Sequence, residues 1–276
     1  MRAVVLDEEG LPRVAEVPSP RPPALRVLAC GLCGSDVEKL GAAPAGTVLG
    51  HEVVAQRADG ERLALVHHLP CGECARCRAG HESTCESFAA ATILPGGFAE
   101  EVEVTDGILL PPSVPDALGT YVEPLACVLR GAERVPGGRV LVVGQGFVGR
   151  LFAAVLRHRG DEVFGVDSRQ ERSGPQPHGP VDAAVLCAPA APLDAIGPGG
   201  TVLVFADAGA VALGDVYRRE LTLTGSRSAT PRHMREALAL LPELDLPEPT
   251  VLPLARFEEG LSLYREGRAV KVVFVP

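Results

Sequence analysis

Four cysteines, Cys71, Cys74, Cys77 and Cys85, fall in the spacing C-x2-C-x2-C-x7-C within one short loop. No other feature restricts the chain as strongly. A closed tetrahedral zinc site needs four soft ligands on a segment able to wrap one ion. Gly72 and Gly80 permit the tight turns such a wrap demands. A disulfide cluster is the alternative, but cysteines this close in an intracellular chain read as metal ligands. Four thiolates close an ion off from substrate, so the loop predicts a structural zinc, and any chemistry must reside elsewhere.

The chain has 276 residues, 46% of them hydrophobic, enough for one large domain or two small ones with a sizeable core. No apolar run reaches the roughly 18 residues of a membrane-spanning helix. The residues from Met1 to Glu9 lack a signal-peptide layout, because acids cut the apolar run short. A net charge of −9 argues against nucleic acid as partner. Eight cysteines with metal-like spacing fit a reducing cytosol, so a cytoplasmic protein is expected. Cys30, Cys127 and Cys187 lie in apolar stretches and read as buried thiols. Cys30 with Cys33 also spells C-x-x-C, a possible redox pair, but the residues around Cys33 fit another role better.

Up to about residue 118 the chain is strand-like, with short β-branched runs broken by Gly and Pro. Tyr121 to Arg130 then opens a helix, with Pro124 suited to its first turn. From Arg139 the pattern alternates between strand and helix. Near-continuous apolar strands at 139–143, 162–167, 182–187 and 201–205 predict a parallel sheet buried on both faces. Helices are expected at 232–241 and 257–265, and a last strand at 270–275.

Gly144-Gln145-Gly146-Phe147-Val148-Gly149 directly follows a strand and opens a helix. In that context G-x-G-x-x-G is a dinucleotide-binding fingerprint: the glycines let backbone approach a pyrophosphate at the positive end of the helix dipole. An ordinary tight turn is the plainer alternative. Asp167 ends the next strand, where a carboxylate binds the adenosine ribose of NAD and repels a 2′-phosphate, or else caps a helix. Arg169 could hold that phosphate, which leaves NADP as an alternative to NAD.

Cys33-Gly34-Ser35-Asp36 and Gly50-His51-Glu52 form a further constellation. With the cysteine loop, Glu123-Pro124-Leu125 and the glycine fingerprint, in this order, the chain resembles the zinc-dependent medium-chain alcohol dehydrogenase family over most of its length. The loop followed by Pro95-Gly96-Gly97-Phe98-Ala99-Glu100 is similar to the polyol branch, with threonine dehydrogenases as near relatives. The resemblance implies an α/β protein: a β-rich GroES-like zinc domain, 1–118 with 228–276 returning to it, and a reduced Rossmann parallel-sheet domain, 119–227, with the active site in the cleft between. It implies two zinc ions, one catalytic and one structural, and NAD as hydride acceptor for an alcohol or polyol. Cys33 and His51 would hold the catalytic zinc. Glu52 would ligate directly or sit one shell out, and Glu123 would hold the zinc-bound water. The proton would leave through Ser35. Many relatives end that relay in a histidine; this chain has Glu38 there, which could accept the proton or remain a solvated surface acid.

His67 falls by the same resemblance near the substrate pocket, where a polar residue favours a hydroxylated substrate; filling space is the alternative. Lys271, one of two lysines, matches a basic position that reaches the cofactor pyrophosphate, or is a surface lysine. The segment Glu220 to Thr224 reads as the edge strand that family members pair across a two-fold axis, so a dimer or tetramer is expected.

The chain is short for the family, with losses at 36–50, 52–67 and above all 168–181. A full Rossmann half would place a helix and a third strand in the last gap. In the order 3-2-1-4-5-6 that strand is an edge, so its loss spares the central pairing. The segment from Cys187 to Gly200 also looks too short for a full helix. Aldose, threonine or simple alcohol dehydrogenases of the same family are the alternatives within the enzyme class. Outside it stands a non-catalytic zinc- and nucleotide-binding protein.

Overall fold

The β-branched runs of the first part do become strands. In chain order the computed structural model opens with β1 (Arg2–Leu6), β2 (Pro12–Glu16), β3 (Ala24–Gly31), α1 (Gly34–Lys39), β4 (Glu52–Gln56), β5 (Arg62–Leu65), α2 (Ala75–Arg78), β6 (Glu101–Glu103), β7 (Gly107–Leu109) and α3 (Asp116–Gly119). The middle holds α4 (Val122–Ala132), β8 (Arg139–Val143), α5 (Phe147–His158), β9 (Glu162–Val166), β10 (Val181–Leu186), β11 (Ile196–Val204), α6 (Leu213–Arg219) and β12 (Thr222–Gly225). The chain ends with α7 (Pro231–Leu240), β13 (Thr250–Pro253), α8 (Phe257–Arg265) and β14 (Val272–Val275). The structure describes residues 1–89, 92–207 and 209–276. Among them no helix is long and apolar enough to cross a membrane.

Two units result. The first is Met1–Pro124, Ala229–Leu241 and Glu248–Pro276; the second is Leu125–Ser228 and Pro242–Pro247. The first unit is built on a mixed sheet in the order β13-β14-β3-β4-β5-β7, with β6 also pairing β3. β1 and β2 form a separate antiparallel pair, tied on by the Val4 amide bonding the Phe98 carbonyl at 2.8 Å. The core centres on three rings: Phe257 stacks on Phe274 at 4.6 Å, and Phe98 meets both edge-on at 5.0 and 5.7 Å. Edge-to-face pairs of this kind add about 0.5–1.5 kcal/mol beyond simple burial.

Register decides what this sheet brings together. β14 runs antiparallel to β3 with Val273 opposite Gly31, and β3 runs antiparallel to β4 with Gly31 opposite Glu52. β4 pairs β5 with Val54 opposite Ala64, so extending the same register places His67 across from His51. The end of β3, the start of β4, the end of β5 and the approach to β14 therefore meet at one end of the sheet. Gly50, at φ +98°, makes the turn into β4; a Cβ there would lie 2.8 Å from both Cys30 Sγ and the Phe98 amide nitrogen.

The second unit is a five-stranded, wholly parallel sheet in the order β12-β11-β10-β8-β9. β9 stands at an edge, as loss of the third strand predicts. The shortened segment after it covers that edge without forming a strand: the Gly174 amide bonds the Gly165 carbonyl at 2.9 Å, and Arg139 reaches the His178 carbonyl at 3.1 Å. Between β10 and β11 only a single 3-10 turn, Leu193–Ala195, fits. β11 begins earlier than the sequence pattern indicates, because Gly197, Pro198, Gly199 and Gly200 hide its start. The helix α6 went unanticipated, since Leu213 and Tyr217 face outward and leave no apolar inner stripe to read.

Candidate metal and cofactor sites

The cysteine loop closes on itself. One sulfur each from Cys71, Cys74, Cys77 and Cys85 lies within 4.8 Å of all the others. Cys71 Sγ is 4.0 Å from Cys77 Sγ and 3.5 Å from Cys85 Sγ. A tetrahedral ion with metal–sulfur bonds of about 2.3 Å needs sulfurs roughly 3.8 Å apart. Backbone amides point at the sulfurs: Cys74 to Cys71 at 3.3 Å, Cys77 to Cys74 and Cys71 to Cys85 at 3.4 Å each. The Cys71 amide is the main cause that draws the Cys85 thiol down to about 6. Cys77, desolvated and beside the other three sulfurs, is pushed up to about 12. Four sulfurs gathered this closely, with amides aimed at them, are the closed soft donor set that fits a zinc ion.

A second group forms at the end of the sheet where β3, β4, β5 and β14 meet. Cys33, His51 and Glu52 each place one donor atom within 4.8 Å of the others. Cys33 caps α1, His51 immediately precedes β4, and Glu52 is its first residue. Between them lies Asp36, 1% exposed, which was visible in the motif but had no assigned role. Its carboxylate accepts the Cys33 amide at 3.1 Å and the Gly50 amide at 3.3 Å, and stands 3.3 Å from His51 Nδ1. Burial alone would raise the Asp36 carboxyl; the charge and hydrogen bond of His51 and the two amides outweigh it and hold the group below its ordinary range. For His51 burial works downward, and Asp36 overrides it to raise the imidazole well above its usual value. With Nδ1 engaged by Asp36, Nε2 is the nitrogen His51 can offer a metal. One thiol, one imidazole and one carboxylate are the mixed donors of an open zinc site.

Glu52 has a buried counter-charge. Lys271, 1% exposed, pairs its ammonium with Glu52 Oε2 and also donates to the Leu32 carbonyl at 3.1 Å. This corrects the expectation that Lys271 reaches a cofactor pyrophosphate or the surface. The register that sets Gly31 between Glu52 and β14 turns the side chain inward. Gly31 leaves room for the pair, since a Cβ would collide with Glu52 Oε2 and crowd the Lys271 side chain.

Other expected residues are placed as follows. The Ser35 hydroxyl lies 3.4 Å from Cys33 Sγ. Glu38 is exposed on α1. Glu123 stands half-buried in the first turn of α4 and is not one of the three grouped donors. Cys30 is buried as expected, whereas Cys127 and Cys187 are only partly so. His67 packs its ring on His51, centroids 4.8 Å apart; burial, then the charges of His51, His68 and Lys39, lower its pKa to about 2, so it is neutral. Tyr264, on α8, was missed altogether. Burial and then Cys33 and Glu52 push its phenol up to about 12. No local motif marks it, because it arrives from the distant returning segment.

The glycine fingerprint sits at the turn from β8 into α5. Gly144 has φ +88°, Gly146 caps the helix and faces open space, and a Cβ on Gly149 would collide with the Gly144 carbonyl. That is the geometry in which helix and strand pack closely while backbone stays open to a phosphate. Arg150 Nε braces the loop through the Gln145 carbonyl at 3.1 Å. Asp167 follows β9, and its carboxylate accepts the Gln145 amide at 2.6 Å and the Arg169 amide at 2.9 Å. Burial would raise its pKa, but these amides and the charges of Arg172 and Arg169 hold it below the ordinary value, so it is ionised at neutral pH.

Comparison with known proteins agrees. Residues 23–116 match the alcohol dehydrogenase GroES-like domain. The chain is 33% identical to D-altritol 5-dehydrogenase of Agrobacterium fabrum, over 87% of this chain and 88% of that protein. It is 27% identical to L-galactonate-5-dehydrogenase of Escherichia coli, over 58% of this chain but only 53% of that protein. Alcohol dehydrogenase TADH from Thermus sp. ATN1 superimposes with a TM-score of 0.84 at 25% identity, covering 100% of both chains. The chain belongs to the zinc-dependent medium-chain alcohol dehydrogenase family.

Removing one member of a buried ion pair costs about 3–5 kcal/mol. Lys271→Met is therefore expected to lose about that much stability in urea unfolding, and adding Glu52→Gln to recover a large part of it. Equal stability of the single variant and wild type would contradict the assignment.

Proposed function

We propose that this chain is a zinc-containing dehydrogenase that moves a hydride between a secondary alcohol or polyol and NAD. The observation that carries this reading is the Cys33, His51 and Glu52 group, within 4.8 Å and distinct from the closed cysteine set. Zinc held there supplies a Lewis acid for the alcohol oxygen, and NAD supplies the hydride acceptor. Cys33, His51 and Glu52 would hold the metal, and Asp36 engages His51 Nδ1 and so leaves Nε2 as the donor. Lys271 engages one carboxylate oxygen of Glu52, which leaves the other to serve as the third donor. Ser35, beside Cys33, takes up the alcohol proton and passes it outward toward Glu38 and solvent. Glu123 contributes from α4 to the polar surroundings. The cysteine loop holds a second, structural zinc.

The fingerprint loop and the N-terminus of α5 receive the pyrophosphate, and Asp167 receives the ribose. An ionised carboxylate there disfavours a 2′-phosphate, so NAD is preferred over NADP. Eight free thiols fit a reducing cytoplasm. The open edge at β12 would join a second copy, giving a dimer or tetramer.

Purified zinc-loaded protein should reduce NAD with at least one member of a panel of polyols, aldoses, amino alcohols and simple secondary alcohols. Asp36→Asn should lower kcat/KM about 10- to 100-fold, as loss of a ligand-orienting partner does. No turnover across the panel, or an unaffected Asp36→Asn variant, would contradict the proposal. Separately, Asp167→Ser should weaken NAD and relieve the bar on NADP in direct binding measurements. Equal affinities of wild type for both cofactors would reduce Asp167 to a loop brace.

A further inference from the structure

A tyrosine drawn into a fold usually finds a partner for its hydroxyl, so one without asks for a reason. The half-buried ring of Tyr264 packs against the core of the first unit, and its hydroxyl makes no hydrogen bond to a described residue. Its oxygen lies over the start of α1: a Cβ on Gly34 would stand 3.3 Å from it. Any side chain at position 34 would crowd that space, and glycine leaves it open.

Four acidic groups act on this hydroxyl. After burial, the charges of Cys33, Glu52, Asp36 and Glu38 push the phenol up to about 12, so at neutral pH it is a donor. Three of the four are engaged. Cys33 belongs to the metal group, Glu52 is met by Lys271, and Asp36 by two amides and His51. Glu38 alone has no hydrogen bond or ion pair among the described residues. It stands on α1 three residues after Ser35 and four after Gly34, so the three are neighbours on the helix surface. Helical side chains lean toward the helix N-terminus, which carries the Glu38 carboxylate back over Gly34 and Ser35, to the side the phenol covers.

We propose that Tyr264 is a positioning residue whose hydroxyl donates to the Glu38 carboxylate and holds it over Ser35, making Glu38 the acceptor of the alcohol proton. This rests on the dehydrogenase reading above and decides between a proton acceptor and a solvated surface acid at position 38. A hydroxyl bonded to an ionised carboxylate is among the stronger hydrogen bonds, enough to select one arrangement of a flexible side chain. The proton count closes. The alcohol O–H breaks and its proton goes to Ser35 Oγ, while the Ser35 proton goes to Glu38 and from there to water. The electron pair of the C–H bond leaves as hydride to NAD. Tyr264 keeps its own proton throughout.

The test combines kinetics with a spectroscopic signal on the full zinc-loaded chain. Tyr264→Phe should lower kcat about tenfold or more while KM and zinc content hold, and Glu38→Gln at least as much. Because one residue acts through the other, the double variant should fall no further than Glu38→Gln alone. Gly34→Ala suits a helix better than glycine does, yet should also lower kcat, since its methyl crowds the phenol. Losses that multiply in the double variant, or a Tyr264→Phe variant as active as wild type, would overturn the proposal. So would loss of zinc in Tyr264→Phe, which would make the tyrosine a support of the metal site. The chain has three tyrosines, so 3-fluorotyrosine labelling gives three fluorine resonances, and the one missing in Tyr264→Phe is assigned. That resonance should move in Glu38→Gln and stay in Glu258→Gln, a change on α8 itself. An unmoved resonance in Glu38→Gln would overturn the contact. A moved resonance in a protein that turns over no alcohol would support the contact while overturning the dehydrogenase reading.

Discussion

Asp36 is the constraint from which the candidate catalytic site follows. A buried carboxylate is costly unless its charge is met and its lone pairs are used. Asp36 meets both demands with three partners drawn from two segments: the Cys33 amide, the Gly50 amide and His51 Nδ1. The same bonds that make its burial tolerable cap α1, fix the turn into β4 and orient two proposed zinc ligands, Cys33 and His51. A second buried acid, Glu52, lies at the same end of the sheet and is met by Lys271 from the far end of the chain. Asp36, His51, Glu52 and Lys271 thus gather buried charge at one end of the sheet, and strand register decides which groups meet there.

The cysteine loop and the Cys33, His51 and Glu52 group differ in how closed their donor sets are. Four sulfurs with amides donating to three of them leave no place for a further ligand. The mixed group has a carboxylate that Lys271 engages, a serine hydroxyl beside Cys33 and the His67 ring against His51. In the second unit the fingerprint turn is complete although the sheet is reduced. An edge strand is removable because its neighbour keeps its inner partner: β9 still pairs β8 along its whole length. A few hydrogen bonds from the segment after it blunt the edge that remains.

Much of this was legible in the sequence because it rests on local spacing. The cysteine loop, the glycine fingerprint after an apolar strand, and helix α8 over 257–265 all depend on residues close together in the chain. The α/β class followed from the change from broken β-branched runs to alternating apolar strands and helices. What escaped depends on pairings between distant segments. Lys271 is separated from Glu52 by most of the chain, so no spacing hints that its ammonium turns inward. Tyr264 arrives at the site on a returning helix. Asp36 stood within a quoted motif, but its role appears only when the Gly50 turn is folded against it. Glu123 matched a family position, yet the grouped donors are Cys33, His51 and Glu52.

Metal analysis tests the central claim most directly. Zinc per chain is measured in purified protein before and after replacing Cys33 and His51 by Ala, with the zinc-edge X-ray absorption recorded for each. Two sites predict two zinc ions in wild type, with mixed sulfur and nitrogen or oxygen neighbours on average. The variant should keep one ion with sulfur neighbours alone. A single zinc in wild type that survives the substitutions unchanged would contradict the account.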